Sequence, residues 1–212
     1  MACAICKVRR PRRFCPGVRG DICAICCGTE REVTVSCPLD CEYLAESRRH
    51  HRPPSHEGAD LAHPEVKVTE RLLAEHEALL IAISTTILRA SLTTPGVVDL
   101  DVRDALDSLT RTYHTLQSGV YYESRPANPL AATIYSAVQR TAAEFRAEEQ
   151  RHLGITRTLD AHVLAMLVFL QRVELETNNG RPRCRAFVGW LQGAYANLPA
   201  AESPERSSLI LP

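Results

Sequence analysis

The 212-residue sequence has no excess of either charge, few aromatic residues and no long hydrophobic run. Its 25 basic and 25 acidic residues cancel, so the chain as a whole is not a polycation built for nucleic acid. The longest apolar stretches, such as 163–170, are far shorter than the roughly 20 residues that span a bilayer. The first residues, MACAICKVRR, contain no hydrophobic signal segment. These absences predict a soluble, cytoplasmic protein.

Motifs of the common catalytic classes are also missing. The sequence has no GxSxG motif, no P-loop and no dinucleotide glycine fingerprint. One ExxH step, Glu149 to His152, is half of what a di-iron site in a helical bundle needs, and no second step accompanies it. Cys184 stands apart from any Cys/His/Asp arrangement and is expected to be a small core residue. The sequence therefore predicts a protein that is not an enzyme.

Cysteine is abundant, and eight of the nine cysteines fall within the first 41 residues. Two CxxC pairs, at 3–6 and 23–26, share the central residues Ala-Ile and have a separation typical of zinc ribbons. Because no export signal is seen, metal thiolates are favoured over disulfides. The candidate metal ligands are Cys3, Cys6, Cys15, Cys23, Cys26, Cys27, Cys37 and Cys41.

Eight thiolates match two four-cysteine zinc sites, and two divisions of the ligands stay open. An interleaved division gives the first ion Cys3, Cys6, Cys23 and Cys26. It gives the second ion Cys15, Cys27, Cys37 and Cys41. A sequential division instead joins Cys23, Cys26 or Cys27, Cys37 and Cys41 around one ion. An iron–sulfur cluster is the alternative cofactor, because ferredoxins also use Cys-Pro steps like those at 15–16 and 37–38.

The segment after the second CxxC pair predicts a knuckle, a strand and a helix start. Gly28 can adopt the positive φ of a knuckle turn, and residues 31–35 alternate polar and apolar side chains as a short strand does. Proline after Cys37 marks the first position of a helix, with Cys41 on the same face. This order is typical of a treble-clef zinc finger.

The run FCPGVRGDICAICCGTERE, followed by CPxxC, resembles a family of uncharacterised bacterial proteins with a CCGTxRE signature joined to a helical domain. The same segment is loosely similar to the cross-braced MYND and HIT-type zinc fingers. The resemblance implies a zinc-finger-like N-terminus and a helical domain, without a known activity. The matching residues are Cys15, Pro16, Cys23, Cys26, Cys27, Gly28, Arg31, Cys37, Pro38 and Cys41.

Helical periodicity covers most of the remaining sequence. Apolar residues at steps of three and four predict five helices, at 68–91, 101–120, 128–153, 158–177 and 184–195. The fourth is apolar nearly all round and should be the most buried. The predicted fold is mainly α: a small N-terminal Cys-rich zinc module followed by an antiparallel helical bundle of about five helices. The predicted divisions are the module at 1–50, a proline-rich linker at 51–65, the bundle at 66–198 and a disordered tail at 199–212.

The predicted function is that of a non-enzymatic zinc-binding protein that acts as an interaction or regulatory adaptor, with another protein as its partner. Four-cysteine zinc sites are closed, which favours a structural role, and the apolar end at 209–211 is a candidate docking motif. The first alternative is zinc-dependent nucleic-acid binding through Arg9, Arg10, Arg12 and Arg13. The second is a thiol redox sensor or a helical metalloenzyme.

Overall fold

The computed structural model describes residues 2–50, 62–119 and 122–195. Most of the predicted linker, the predicted tail and the candidate docking motif at 209–211 lie outside the described residues, and the division of the chain into four parts stays a prediction. The two strands are β1 (Arg13–Cys15) and β2 (Gly20–Ile22). The helices of the described residues are α1 (Ala24–Glu30), α2 (Glu42–His50), α3 (Glu70–Glu75), α4 (Glu77–Thr93), α5 (Asp99–Gln117), α6 (Pro129–Leu153), α7 (Asp160–Thr177) and α8 (Ala186–Ala194).

A helical bundle of α4 to α8 makes up most of the fold, as the sequence predicts. Helix α5 packs against α6 and α7, while α4 packs against α6 and α8. The central helix is α7, in which Val163, Met166, Leu167 and Leu170 are fully buried. Burial of each such side chain stabilises the fold by about 1.5–3 kcal/mol. The bundle therefore has a hydrophobic core of its own. None of the described helices combines the length and apolar character needed to cross a membrane.

Local signals account for both ends of α6. The Asn128 side chain accepts the N–H of Leu130 at 2.9 Å, Pro129 opens α6, and Gly154 ends it with a φ of 69°. The predicted helix at 68–91 is two helices, α3 and α4, which meet at His76. The start of α5 also differs, because Asp101 lies inside the first turn, where its carboxylate accepts the N–H of Val98.

The cysteine-rich segment forms a second, smaller core, and its local structure corrects three predictions. Residues 24–28 belong to α1 rather than to a knuckle, because Cys23 caps that helix by accepting the N–H of Cys26. Residues 31–35 make an isolated bridge instead of a strand, since Glu32 has a φ of 53° that interrupts extended backbone. Helix α2 begins at Glu42, one turn later than the proline after Cys37 predicts.

Candidate metal centre

Four sulfur atoms converge where the turn at 3–6 meets the start of α1. The Sγ atoms of Cys3, Cys6, Cys23 and Cys26 all lie within 4.8 Å of one another, and all but Cys6 are buried. The antiparallel hairpin β1–β2 connects the two pairs and returns the chain to the same place. A hydrogen bond of 2.8 Å from Ala4 N to Asp21 O ties the first pair to the strand that leads into the second.

Backbone amides point at three of these sulfurs. Cys23 N donates to the Sγ of Cys3 at 3.3 Å, and Cys26 N donates to the Sγ of Cys23 at 3.4 Å. Arg9 N donates to the Sγ of Cys6 at 3.5 Å. Such bonds favour the thiolate over the thiol, and the thiolate is the form that binds metal.

The thiol pKa values in the cluster spread apart because burial and hydrogen bonds act with different balance at each sulfur. Burial, followed by hydrogen bonds from neighbouring sulfurs, raises the pKa of Cys26 to about 12. At Cys3 burial acts upward as well, but backbone hydrogen bonds from Cys6, Cys23 and Ile5 prevail and lower the pKa to about 6. A divalent cation held by these four sulfurs would offset the mutual repulsion of the thiolates and displace the remaining protons.

The donor set fits a zinc ion. A tetrahedron with zinc–sulfur distances of about 2.3 Å places its sulfurs about 3.8 Å apart, and the four Sγ atoms already lie within 4.8 Å of one another. Four protein sulfurs complete a tetrahedral shell, which leaves no position for water or substrate. The cluster can therefore hold a metal ion, as the two CxxC pairs predict.

The other four predicted ligands do not form a second cluster of this kind. In the described parts of the chain, the four-cysteine group is the only one whose ligand atoms come so close. Cys15, Cys37 and Cys41 nevertheless all belong to the small core. Burial raises the pKa of Cys37, and the charges of Glu32, Cys41 and Cys15 act in the same direction. Their assignment to a second ion stays a prediction.

A close backbone contact joins the loop after β1 to the loop that carries Cys37. A Cβ atom on Gly17 would lie 2.7 Å from the carbonyl oxygen of Ser36, so only glycine lets the loop after β1 pack against the loop that carries Cys37. Cys27 contacts cations instead. Its Sγ accepts from Nη1 of Arg13 at 3.7 Å and from Nη2 of Arg31 at 3.6 Å.

A buried carboxylate, Glu32, joins the cysteine-rich segment to the bundle. The residue is 1% exposed. Its carboxylate accepts from Nη2 of Arg48 at 2.9 Å, from Nδ2 of Asn179 at 2.8 Å and from the backbone N of Arg185 at 3.3 Å, while its carbonyl oxygen accepts from Arg183 N at 2.9 Å. A charge at this depth is tolerated only when it is paired and hydrogen-bonded. These contacts therefore fix where the metal centre lies on the bundle.

The loop between α7 and α8 supplies the bundle's half of this junction. Nη1 of Arg181 donates to the carbonyl oxygens of Gly28 and Arg31. Nη1 of Arg183 donates to the Oγ of Ser36 at 2.8 Å. The backbone that follows the metal-binding turn of α1 is thus held by arginines from about 150 residues further along the chain.

The junction was not predicted from the sequence. The pattern at residues 178–182 predicts the end of one helix and the start of another, and the pattern at 31–35 places Glu32 in a strand. The available signal was the concentration of arginine in NNGRPRCR, which is unusual for a helix connection. That signal does not identify the carboxylate that the arginines face, because the pairing depends on the fold.

The ExxH step on α6 is used structurally. Glu149 accepts from the backbone N of Arg157, and from both the backbone N and the Oγ1 of Thr158, so it caps the turn that leads into α7. His152 contacts Glu148 at 2.7 Å on an exposed face. No group of metal ligands comparable to the four-cysteine cluster occurs in the described part of the bundle.

Comparison with known protein families, with curated proteins and with solved structures finds no match. The resemblance to proteins with the CCGTxRE signature accordingly stays a prediction that rests on the quoted motif. Functional inference for this chain depends on its donor atoms, its charges and its exposed surfaces.

Proposed function

We propose that this chain is a non-enzymatic zinc-binding protein in which Cys3, Cys6, Cys23 and Cys26 hold one structural ion. The observation that carries the proposal is the convergence of four sulfur atoms within 4.8 Å. Thiolates favour zinc over magnesium and calcium, which take oxygen ligands. Because the four thiolates complete the shell, the ion serves folding and not catalysis.

The order of elements around the cluster supports a treble-clef arrangement. Two ligands come from the turn at 3–6, the hairpin follows, and two ligands come from the start of α1. Cys23 is the N-cap of that helix, and its Sγ accepts the N–H of Cys26. Residues 3–26 form this arrangement, whereas the sequence pattern predicts it at residues 23–41.

The proposed role is that of an interaction adaptor. The small core of residues 2–50 buries little besides sulfur, Ile22, Val35 and Leu44, so the ion is what gives the segment a fixed shape. The junction at Glu32 then holds that shape in one position on the bundle. The exposed side of the hairpin is thereby presented to a partner in a constant orientation.

Metal analysis of the purified full chain tests the zinc site. We expect one zinc ion held by the four-cysteine cluster, lost in Cys23→Ser and retained in Cys184→Ser. Cys184 is the matched control, because it is a buried cysteine outside the cluster. A colourless protein without bound metal, or a brown protein with iron and sulfide, would overturn the proposal.

The same measurement decides how many ions are bound. A second zinc ion per chain, lost in Cys37→Ser or Cys41→Ser while the first remains, would support the predicted two-site division. A single ion that survives both substitutions would restrict the metal centre to the four converging sulfurs.

A further inference from the structure

The hairpin beside the metal cluster carries an unbalanced basic face. Its exposed cations are Lys7, Arg9, Arg10, Arg12 and Arg19. None of them forms an ion pair with a carboxylate of the described residues. Residues 2–28 contain six basic residues and one acidic residue, Asp21. This excess outweighs the formal charge of −2 on a zinc ion with four thiolates.

Charge compensation within the protein accounts for only part of this face. The thiolates of Cys23 and Cys6 raise the pKa of Arg9, so Arg9 offsets the charge of the cluster. Four other arginines of residues 2–50 also have partners: Arg13 and Arg31 contact Cys27, Arg48 pairs with Glu32, and Arg49 pairs with Glu46. No described contact ties Lys7, Arg10, Arg12 or Arg19 to the sulfurs.

An exposed aromatic ring belongs to the same hairpin as these cations. Phe14 is 60% exposed in the middle of β1, while its neighbour Cys15 is buried and its neighbour Arg13 lies 4.0 Å from the centre of the Tyr43 ring. Side chains alternate along a strand, so Arg12 lies on the same outward side as Phe14. The adjacent strand places Asp21 opposite Phe14. The outward face of the hairpin therefore carries an exposed aromatic ring, the guanidinium of Arg12 and, across from the ring, the carboxylate of Asp21.

We propose that this face binds a single-stranded nucleic acid, with the cations on phosphate groups and the Phe14 ring stacked on an unpaired base. The inference rests on the proposed function, because the zinc cluster holds the hairpin in shape. The excess of exposed cations favours a polyanion, and an exposed ring on the same hairpin favours one whose bases are accessible. Bases in a duplex are already stacked on one another, so a duplex binds this face less tightly.

Binding to a short, fluorescently labelled oligonucleotide tests the inference, with the full zinc-loaded chain and a range of salt concentrations. We expect affinity to fall as salt rises. Joint replacement of Arg10, Arg12 and Arg19 by glutamine should reduce the slope of log affinity against log salt by about 2, at roughly 0.7 per phosphate contact. Phe14→Leu should weaken binding about five- to 150-fold, the range for one stacked base, and leave the slope unchanged.

Matched controls lie on the bundle. Joint replacement of the exposed Arg89, Arg111 and Arg140 by glutamine should leave the salt slope unchanged. Tyr122→Leu removes an aromatic ring that is 65% exposed and should leave the affinity unchanged. Zinc content measured on every sample shows that the variants keep the folded cluster.

The outcomes separate this inference from the proposed function. A chain that binds no zinc overturns the proposed function, whereas a zinc-loaded chain that binds no oligonucleotide at low salt overturns the inference alone. Equal affinity for single strands, duplex and anionic vesicles, together with no effect of Phe14→Leu, would also overturn it, because the face would then bind polyanions without reading bases. A preference for single strands that depends on Phe14 supports it.

Discussion

The bundle and the cysteine-rich segment owe their stability to different interactions. The bundle buries large aliphatic and aromatic side chains on five helices, among them Ile83, Leu106, Leu167 and Phe187. Residues 2–50 bury three aliphatic side chains, and the rest of their core is sulfur. A segment of this size cannot fold on so little apolar surface. Under the proposed function, zinc supplies the missing free energy.

This difference determines which treatments each part resists. A hydrophobic core weakens gradually with denaturant, since its stabilisation is spread over many contacts. A metal-dependent core depends on one ion, so chelators and thiol oxidants act on it directly. The junction at Glu32 relies on a buried ion pair and hydrogen bonds, and Leu39 of the same segment packs against the bundle core.

Chelation of zinc is expected to have the largest effect. It withdraws about 10–16 kcal/mol of metal-binding free energy at neutral pH, so residues 2–50 should unfold while α4 to α8 remain helical. Hydrogen exchange resolved by segment measures both parts in one experiment. Protection that persists in residues 2–50 after complete removal of metal would contradict the contrast between the two parts.

Truncation of the bundle core is expected to have the next largest effect and to act on the other part. Leu167 in α7 is fully buried, so Leu167→Ala should lower the free energy of unfolding by about 2–5 kcal/mol. Urea unfolding followed by far-UV circular dichroism measures the change. Leu153→Ala is the control: Leu153 is 51% exposed and its loss should cost less than about 0.5 kcal/mol. Loss of bound zinc from the folded Leu167→Ala variant would show that the two parts are not independent.

Most of the bundle could be predicted because each helix carries its own local signals. Asn128, Pro129 and Gly154 mark the ends of α6 without reference to the rest of the fold. The break at His76 could not be predicted, since the apolar periodicity of 68–91 continues through it. Local pattern thus predicts helices well and interruptions within them poorly.

The metal centre was predictable in its residue types and less so in its geometry. The two CxxC pairs predict metal binding, and the hairpin that brings them together was not predicted. At residues 31–35 the alternating pattern favours a strand, but the carboxylate of Glu32 is drawn into contacts with Arg48 and Asn179. A long-range contact overrides the local preference there, which is common for short β patterns.

Removal of the charge at the junction is expected to have an intermediate effect. Glu32→Gln keeps the size of the side chain but leaves Arg48 without its counter-charge, so it should cost about 2–4 kcal/mol. Faster hydrogen exchange in residues 178–185 and a lower melting temperature measure the loss. Zinc should stay bound, because Glu32 is not among the four converging ligands.

Two further variants test whether that loss comes from the pair. Glu46→Gln is the surface control, since the pair of Glu46 with Arg49 is largely exposed and should contribute less than about 1 kcal/mol. A double-mutant cycle of Glu32→Gln with Arg48→Met isolates the coupling. Coupling indistinguishable from zero would mean that the two parts are joined by packing and not by this carboxylate.

The smallest predicted effect is a pH dependence within the bundle. Asp99 is fully buried, and its carboxylate accepts the N–H groups of Phe187 at 2.9 Å and Val188 at 3.2 Å at the start of α8. Burial outweighs these bonds and raises the pKa from 3.8 to about 6. Because the folded pKa is the higher one, protonation of Asp99 favours the fold. Its contribution is complete below the ordinary pKa and is lost as pH rises through about 6.

Asp99→Asn should abolish this dependence. Between about pH 4 and pH 7 the unfolding free energy of the variant should rise relative to that of the unmodified protein, by roughly 3 kcal/mol at most. Trp190 reports on α8 directly, because it is the only tryptophan in the sequence and stacks on Phe187 with ring centres 6.0 Å apart. Glu144→Gln, an exposed change on α6, should give a curve parallel to that of the unmodified protein. The difference in unfolding free energy between Asp99→Asn and the unmodified protein could instead be the same at every pH. The hydrogen bonds of Asp99 would then compensate its buried charge as fully as the partners of Glu32 do at the junction.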